Sequence, residues 1–396
     1  MSKSAFDRSD AMIFFGGITG LTAISIDIVL PATGLIARDF GVPDAMGSLL
    51  IGAYFIAYAI GQLFWGLFSD AFGRRLALIL SLVGFTAATV ACAMAPSFEF
   101  LIWMRALQGL TGGTPVIARA MVRDVSSGNE AARILAMLTA ILTIATLIAP
   151  VFGSGLLVLF EWRAIFWALA GLGLIFLVYT VFLLEETGGK RRPERFSFGF
   201  VSTASRHLFS LKTFLIPMVM GGLTFAGYAA MLSVGAVLTE TVYDVSPQAF
   251  GSLFALAAAA NTAGAMTVRH LLKTHGLMKV NTFAVVCIGV GSVACFAVTL
   301  ADPVLPVFWG AICLYVFAFG TLLPTSVALS LEPAGDMPGF ATSLVGAIQM
   351  SFGAAGAALA TFLFDGSHRA IPMSMAAFGL LTVATLVLGR KAMKAS

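Results

Sequence analysis

A carboxylate, a guanidinium and a basic turn are the groups in this chain whose placement suits them to chemistry. Asp27 stands in the run Ile26-Asp27-Ile28-Val29-Leu30-Pro31, inside an apolar stretch from Met12 to Ala37. A hydrocarbon core of about 30 Å takes roughly 20 helical residues to cross, so Asp27 falls well inside the apolar zone. Insertion scales put an aspartate at a helix centre about 2.5 to 3.5 kcal/mol uphill, so its default reading is functional, with a partner to be named. Arg105 is the expected partner. Counted from Phe98 it lies about 10 Å below one surface, and Asp27 counted from Met12 lies about 22 Å above the other. The depths sum to about 32 Å, so the two share a height. A nearby arginine favours the anion and removal from water favours the neutral acid, which makes the proton sensitive to whatever binds alongside. A static ion pair joining two helices is the plainer alternative.

The elements that must position these groups follow from composition. The chain has 396 residues, of which 59% are hydrophobic and 11% charged, with a mean hydropathy of +0.97. Soluble domains carry about 25% charged residues, so this is an integral membrane protein. Its apolar runs are twenty-odd residues long without period-two alternation, which selects helices over barrel strands. Twelve spans are expected, at about 12–37, 46–69, 76–95, 98–122, 132–158 and 163–184, then 214–238, 248–269, 280–300, 305–330, 339–364 and 369–389. The expected fold is all-α, with six helices in 1–184, a cytoplasmic linker over 185–213 and six helices in 214–396. That arrangement is typical of secondary transporters.

Of 23 Lys and Arg residues, 19 fall in alternate loops and the termini, and only Arg38, Arg163 and Arg369 in the opposite loops. The positive-inside rule then puts both termini in the cytoplasm. Lys3 and Arg8 precede an apolar run too long for a signal h-region, so it is read as a retained first helix. The linker carries Gly188-Gly189, the cluster Lys190-Arg191-Arg192 and Pro193, a composition suited to the anionic leaflet.

Several functions are set aside. A net charge of +4 arises from loop residues at the membrane surface, so no nucleic-acid partner is expected. Cys92, Cys287, Cys295 and Cys313 lie in apolar spans without CxxC spacing and read as packing residues. His270 and His275 have no carboxylate or cysteine beside them, so no metal is expected. The chain contains no G-x-x-x-x-G-K-S/T phosphate loop, and no cofactor and no enzymatic activity are expected.

Three further patterns carry a resemblance. The loop after the second span reads Gly66-Leu67-Phe68-Ser69-Asp70-Ala71-Phe72-Gly73-Arg74-Arg75 and resembles the G-x-x-x-D-x-x-G-R-R/K signature of the major facilitator superfamily. Arg105-Ala106-Leu107-Gln108-Gly109 is similar to the R-x-x-Q-G motif of its drug:proton antiporter branch, and Ala149-Pro150-Val151-Phe152-Gly153-Ser154-Gly155 to that branch's fifth-helix motif. With Asp27 to Pro31, Arg119 to Asp124, Glu161-Trp162-Arg163 and Gln349 to Ala354, the chain resembles the bicyclomycin-resistance type over nearly its whole length.

The resemblance implies a multi-pass transporter of a bacterial inner membrane, exporting small amphipathic molecules against protons. Proton-coupled uptake of a nutrient is the alternative, and a monomer is expected. It further implies that Asp70 faces the start of the eleventh helix near Gly339, and that Arg74 or Arg75 reaches Asp124 in a cytoplasmic gate with Gly66 and Gly73. Pro150 and Gly153 would permit a bend and close packing, and Trp162 would anchor at the interface. For the substrate cavity the expected residues are Tyr54 and Tyr58, one turn apart, with Phe225, Tyr228, Asn261 and Gln349, chosen for mid-span depth.

Overall fold

Apolar runs of this length leave the backbone only itself to bond with, and every regular element is helical among the residues described, which are 9–126, 128–188, 193–335 and 337–394 of a computed structural model. The helices are α1 (Ser9–Asp27), α2 (Thr33–Asp39), α3 (Leu49–Phe72), α4 (Arg74–Ala93), α5 (Phe98–Leu110), α6 (Thr114–Val125), α7 (Gly128–Leu159) and α8 (Arg163–Phe182). After α9 (Phe198–Ser210) come α10 (Lys212–Tyr243), α11 (Pro247–Leu271), α12 (Leu277–Val298), α13 (Leu305–Leu331), α14 (Pro338–Leu363) and α15 (Ala370–Lys394). Counting α1–α2 and α5–α6 as one pass each, and α9 as none, gives twelve passes among the described residues. Lys3, Arg8, Gly189 and the Lys190-Arg191-Arg192 cluster lie outside the described residues.

Local chemistry sets the boundaries. Ser97 caps α5 by accepting the Phe100 N–H at 3.2 Å, and Ser246 caps α11 by accepting that of Ala249 at 3.3 Å. Gly73, at φ 112°, makes the turn between α3 and α4 that a side chain would strain. Two passes expected as continuous helices are interrupted. The first stops at Asp27 and resumes through a 3-10 turn at Leu30–Ala32, because Pro31 has no N–H to offer the Asp27 carbonyl four residues earlier. The fourth breaks at Thr111 to Gly113 before Pro115 restarts it as α6.

The second break is tied to α1. Thr114 donates its hydroxyl to the Ile18 carbonyl at 2.7 Å, and Thr22 reaches the Gly112 carbonyl at 3.4 Å. The second bond satisfies a carbonyl that the interrupted fourth pass leaves free in an apolar medium.

The two halves meet along α3 against α14 and along α7 against α11. Small residues allow the approach. A Cβ on Gly66 would lie 2.6 Å from Ser343 Oγ, and Gly346 sits under Gln62. Ser154 of α7 donates to the Pro247 carbonyl at 3.0 Å and accepts the Gly251 N–H at 3.1 Å. At the end away from the Arg74 turn, Arg38 pairs with Glu240 at 2.9 Å and Asp44 at 2.8 Å, and Thr361 donates to Ser48 at 2.7 Å. At the Arg74 end, Leu63 and Leu67 of α3 pack in one cluster with Phe340 of α14. The halves therefore touch at both ends, and what lies between them is enclosed.

The linker contains a helix, α9, and acts as an aromatic strap. Phe196 rests on Phe64, Phe68 and Phe72 of α3 with centroids 5.5 to 5.9 Å apart, while Phe200 meets Phe340 of α14 at 5.5 Å. Trp162 is buried, with its indole N–H donated to Asp39 at 3.0 Å, beside an Arg163 to Asp39 ion pair also at 3.0 Å.

Closure at the Arg38 end is testable. In a background lacking the four native cysteines, the pair Ser48→Cys and Thr361→Cys should cross-link on mild oxidation and stop turnover, with activity restored by reductant. A pair that stays reduced would place the two helices further apart.

Candidate functional site

Asp27 ends α1 with a relative exposure of 4%, and among the described residues no hydrogen bond or ion pair to its carboxylate is found. The 3-10 turn that follows it, Leu30–Ala32, packs against α10 of the second half. The adjacent backbone is fixed from the other side. A Cβ on Gly153 of α7 would collide with the Ile28 carbonyl, so the broken segment rests directly on a glycine.

Arg105 is fully buried and shares the height of Asp27, but it does not pair with it. Its guanidinium donates to the Ser25 carbonyl at 3.1 Å, to the Leu50 carbonyl at 3.4 Å and to Gln108 Oε1 at 2.6 Å, and lies 4.6 Å from the Tyr54 ring centroid. Nη2 has no partner. The reason is rotational. Residues two apart on a helix differ by about 200°, so with Ser25 turned towards α5 the Asp27 side chain is turned away from it. Counting residues gives depth along the axis and not direction around it.

Around Arg105 the polar groups form a chain. Gln108 donates through Nε2 to Thr89 at 2.7 Å, and the Ser25 and Tyr54 hydroxyls are 2.8 Å apart. The guanidinium is thus held by carbonyls, Gln108 and an aromatic face rather than by a carboxylate.

The residues expected at the substrate cavity are packed among side chains, with the halves in contact. Tyr54 and Tyr58 lie 5.9 Å apart and buried. Phe225 meets Phe55 at 5.8 Å and Phe319 at 6.0 Å, and Tyr228 stacks on Phe319 at 4.5 Å with the rings 5° from parallel. Phe55 and Phe319 complete an aromatic layer across the interface; neither has a polar atom to single it out in the sequence. Asn261 lies apart, its carbonyl and side chain against Gly320 of α13. Gln349 turns its amide towards Gly221 of α10.

At the basic turn, Arg74 donates to Asp124 and Ser69, each at 2.8 Å, and pairs with Asp70. Arg75 takes another path, donating to the Val181 carbonyl at 2.7 Å at the end of α8. Asp70, Gly66, Gly339 and Ser343 line one cleft between the halves, as does Arg119, which the loop count had treated as a surface charge. Glu186 is an addition. Its carboxylate accepts the N–H groups of Arg74 at 3.0 Å and Arg75 at 3.2 Å, capping α4 from just beyond α8. An acid at a helix N-terminus is favourable, but its sequence distance from α4 hid the pairing. Pro150 lies inside α7 with its carbonyl turned towards Gly251 of the other half.

The pattern of the Major Facilitator Superfamily matches residues 15–361. A bicyclomycin resistance protein homologue of Haemophilus influenzae is 25% identical over 350 residues, covering 87% of this chain and 86% of that protein. Multidrug resistance protein D of Escherichia coli is 28% identical over 367 residues, covering 90% and 89%. Among solved structures, a bacterial homologue of the human lysosomal transporter Spinster, in an inward-facing and occupied conformation, superposes with a TM-score of 0.79 at 16% identity over 98% of each chain.

Because the Ile28 carbonyl occupies the space beside Gly153, Gly153→Ala should cost about 1 to 3 kcal/mol of stability. Gly155→Ala, with nothing within 4 Å of its Cβ, should not. Thermal unfolding of the two variants in detergent compares them; equal midpoints would contradict the packing.

Proposed function

Since the chain belongs to the Major Facilitator Superfamily and is a multi-pass membrane transporter, we propose that it exports small amphipathic molecules from the cytoplasm of a bacterial cell in exchange for protons. The observation that carries this reading is Asp27: a buried carboxyl group at a broken helix, beside a turn packed against the second half, with its expected counter-ion held elsewhere. Discontinuous helices at mid-membrane depth, where two repeats meet, are where coupling ions and substrates bind in secondary transporters.

The mechanism follows from that placement. With the cytoplasmic end open, a substrate enters between the aromatic rings of the two halves and Asp27 gives up its proton. The resulting carboxylate is within reach of substrate dipoles or positive charge, while Arg105 holds the local potential steady through its bonds to Ser25, Leu50 and Gln108. The cleft lined by Asp70 and Arg74 of the first half and by Gly339 and Ser343 of the second then shuts as the cytoplasmic end closes. At the other end the Arg38 to Glu240 pair, partly exposed and hence weakened by solvent, parts to let substrate out and a proton in.

The energetics suffice. One charge moving through 100 mV supplies about 2.3 kcal/mol, and about 1.4 kcal/mol is a factor of ten. Exchange of one proton for a neutral substrate therefore supports more than tenfold accumulation before any pH difference is added.

Asp27→Asn tests the coupling. In inverted vesicles the variant should bind substrate yet lose pH-driven transport by about a hundredfold, a typical minimum for removing a proton-transfer group. Undiminished transport with undiminished substrate-induced proton movement would remove Asp27 from the mechanism.

A further inference from the structure

The strap that crosses the seam leaves one edge uncovered. α9 turns Ala204 and Leu208 into the second half, where they pack with Phe340 and Leu344 of α14 and Phe214 of α10. Phe198 and Phe209 stay outside that contact, 87% and 37% exposed. Eleven residues advance a helix by about 1100°, within about 20° of three full turns, so the two rings share one edge about 16 Å apart. Ser202 and Ser205 lie between them on that edge, and α9 contains no Asp or Glu. An aromatic edge on a helix otherwise polar outside its packed face is the composition of a segment that lies in a membrane surface.

Both ends of this segment are pinned to membrane passes. A single residue, Leu211, separates α9 from α10, and Phe209 meets Phe214 of that pass with centroids 6.5 Å apart. At the other end Phe196, two residues before α9, lies 5.8 Å from Phe64. Phe64 stands about two turns inside the end of α3 at Phe72. α9 is therefore held at the height of the membrane surface at each end and runs along it.

Charge selects the lipid. Arg206, one turn from Phe209, is exposed, as is Lys212 at the start of α10. Lys190, Arg191 and Arg192 come just ahead of the strap in the sequence. Cations around an aromatic edge attract acidic headgroups, while the rings enter the acyl boundary beneath them. We propose that the edge of α9 from Phe198 to Phe209 is a membrane-docking surface that seats on acidic phospholipid of the leaflet at the Arg74 end. That end is taken as cytoplasmic, as the distribution of Lys and Arg implies. Held between α14 and the bilayer, α9 stays with the second half, and the grip of Phe196 on α3 is the contact that opening breaks.

The test uses the full chain with its four native cysteines replaced. A nitroxide is attached at Ser202→Cys, on the edge, or at Thr203→Cys, about 100° further round the helix and exposed. The protein is reconstituted in vesicles of phosphatidylcholine and phosphatidylglycerol in equal parts. Oxygen collects among acyl chains and a nickel chelate stays in water, so relaxation by each reads the surroundings of the label. Oxygen should dominate at 202 and nickel at 203, with a severalfold difference in their ratio. Phe198→Ser removes a mostly exposed ring, so it should leave the thermal midpoint in detergent unchanged while abolishing most of that difference. Arg206→Gln, or vesicles of phosphatidylcholine alone, should reduce it. Nickel relaxation at both positions would mean a solvated edge, and a label at 202 shielded from both reagents would mean a protein partner such as a second copy. A difference that survives Phe198→Ser, or is the same without phosphatidylglycerol, would remove the ring or the acidic lipid from the contact. Each of these overturns the proposal, and none bears on export, which the Asp27→Asn transport assay tests.

Discussion

A proline four residues after an aspartate governs this molecule. Pro31 cannot donate to the Asp27 carbonyl, so the first pass breaks where it carries its one embedded acid. The break shapes what surrounds it. Gly153 must be a glycine because the Ile28 carbonyl lies against it, and the second break, at Thr111 to Gly113, is bonded to α1 through Thr22 and Thr114. A continuous helix would leave no irregular backbone at this depth, and Asp27 would be one costly side chain among apolar neighbours rather than part of a site.

The contacts between the halves have the character expected of surfaces that separate and rejoin. Along α3 close approaches at Gly66 to Ser343 and Gln62 to Gly346 alternate with apolar contacts such as Phe55 to Phe225 and Leu63 and Leu67 to Phe340, and at the other end the partly exposed Arg38 to Glu240 pair contributes about 1 kcal/mol or less. Within each half the bonds are deeper. Arg105 is held by two carbonyls and Gln108, and Arg74 by Asp70, Asp124 and Ser69. Rigid bundles joined by a weak seam are what rocking about a central site requires. The strap of Phe196 and Phe200 crosses the seam at the Arg74 end, so separation there must also peel two aromatic contacts from α3 and α14.

Much of this was legible in the sequence, for identifiable reasons. Twenty-residue apolar runs fix the passes because a membrane leaves the backbone no other partners, and the spacing from Gly66 to Arg75 fixed a turn that is there. What escaped was whatever depends on direction around a helix or on distant contacts. Asp27 and Arg105 do share a height, yet 200° between Ser25 and Asp27 separates them. Tyr54, Tyr58, Phe225 and Tyr228 do converge, but as a packed layer, because a composition cannot say which ends are closed. Glu186, more than a hundred residues from the helix it caps, and Phe55 and Phe319, apolar among many, gave no local signal.

The central claim is that the proton on Asp27 responds to what occupies the space beside it. Infrared difference spectroscopy of the purified protein, with and without a transported compound, reads this most directly. A protonated-carboxyl band should be lost on binding in the wild-type protein and be missing from the Asp27→Asn difference spectrum. A carboxyl band indifferent to the compound, or an identical change in the Asn variant, would contradict the account.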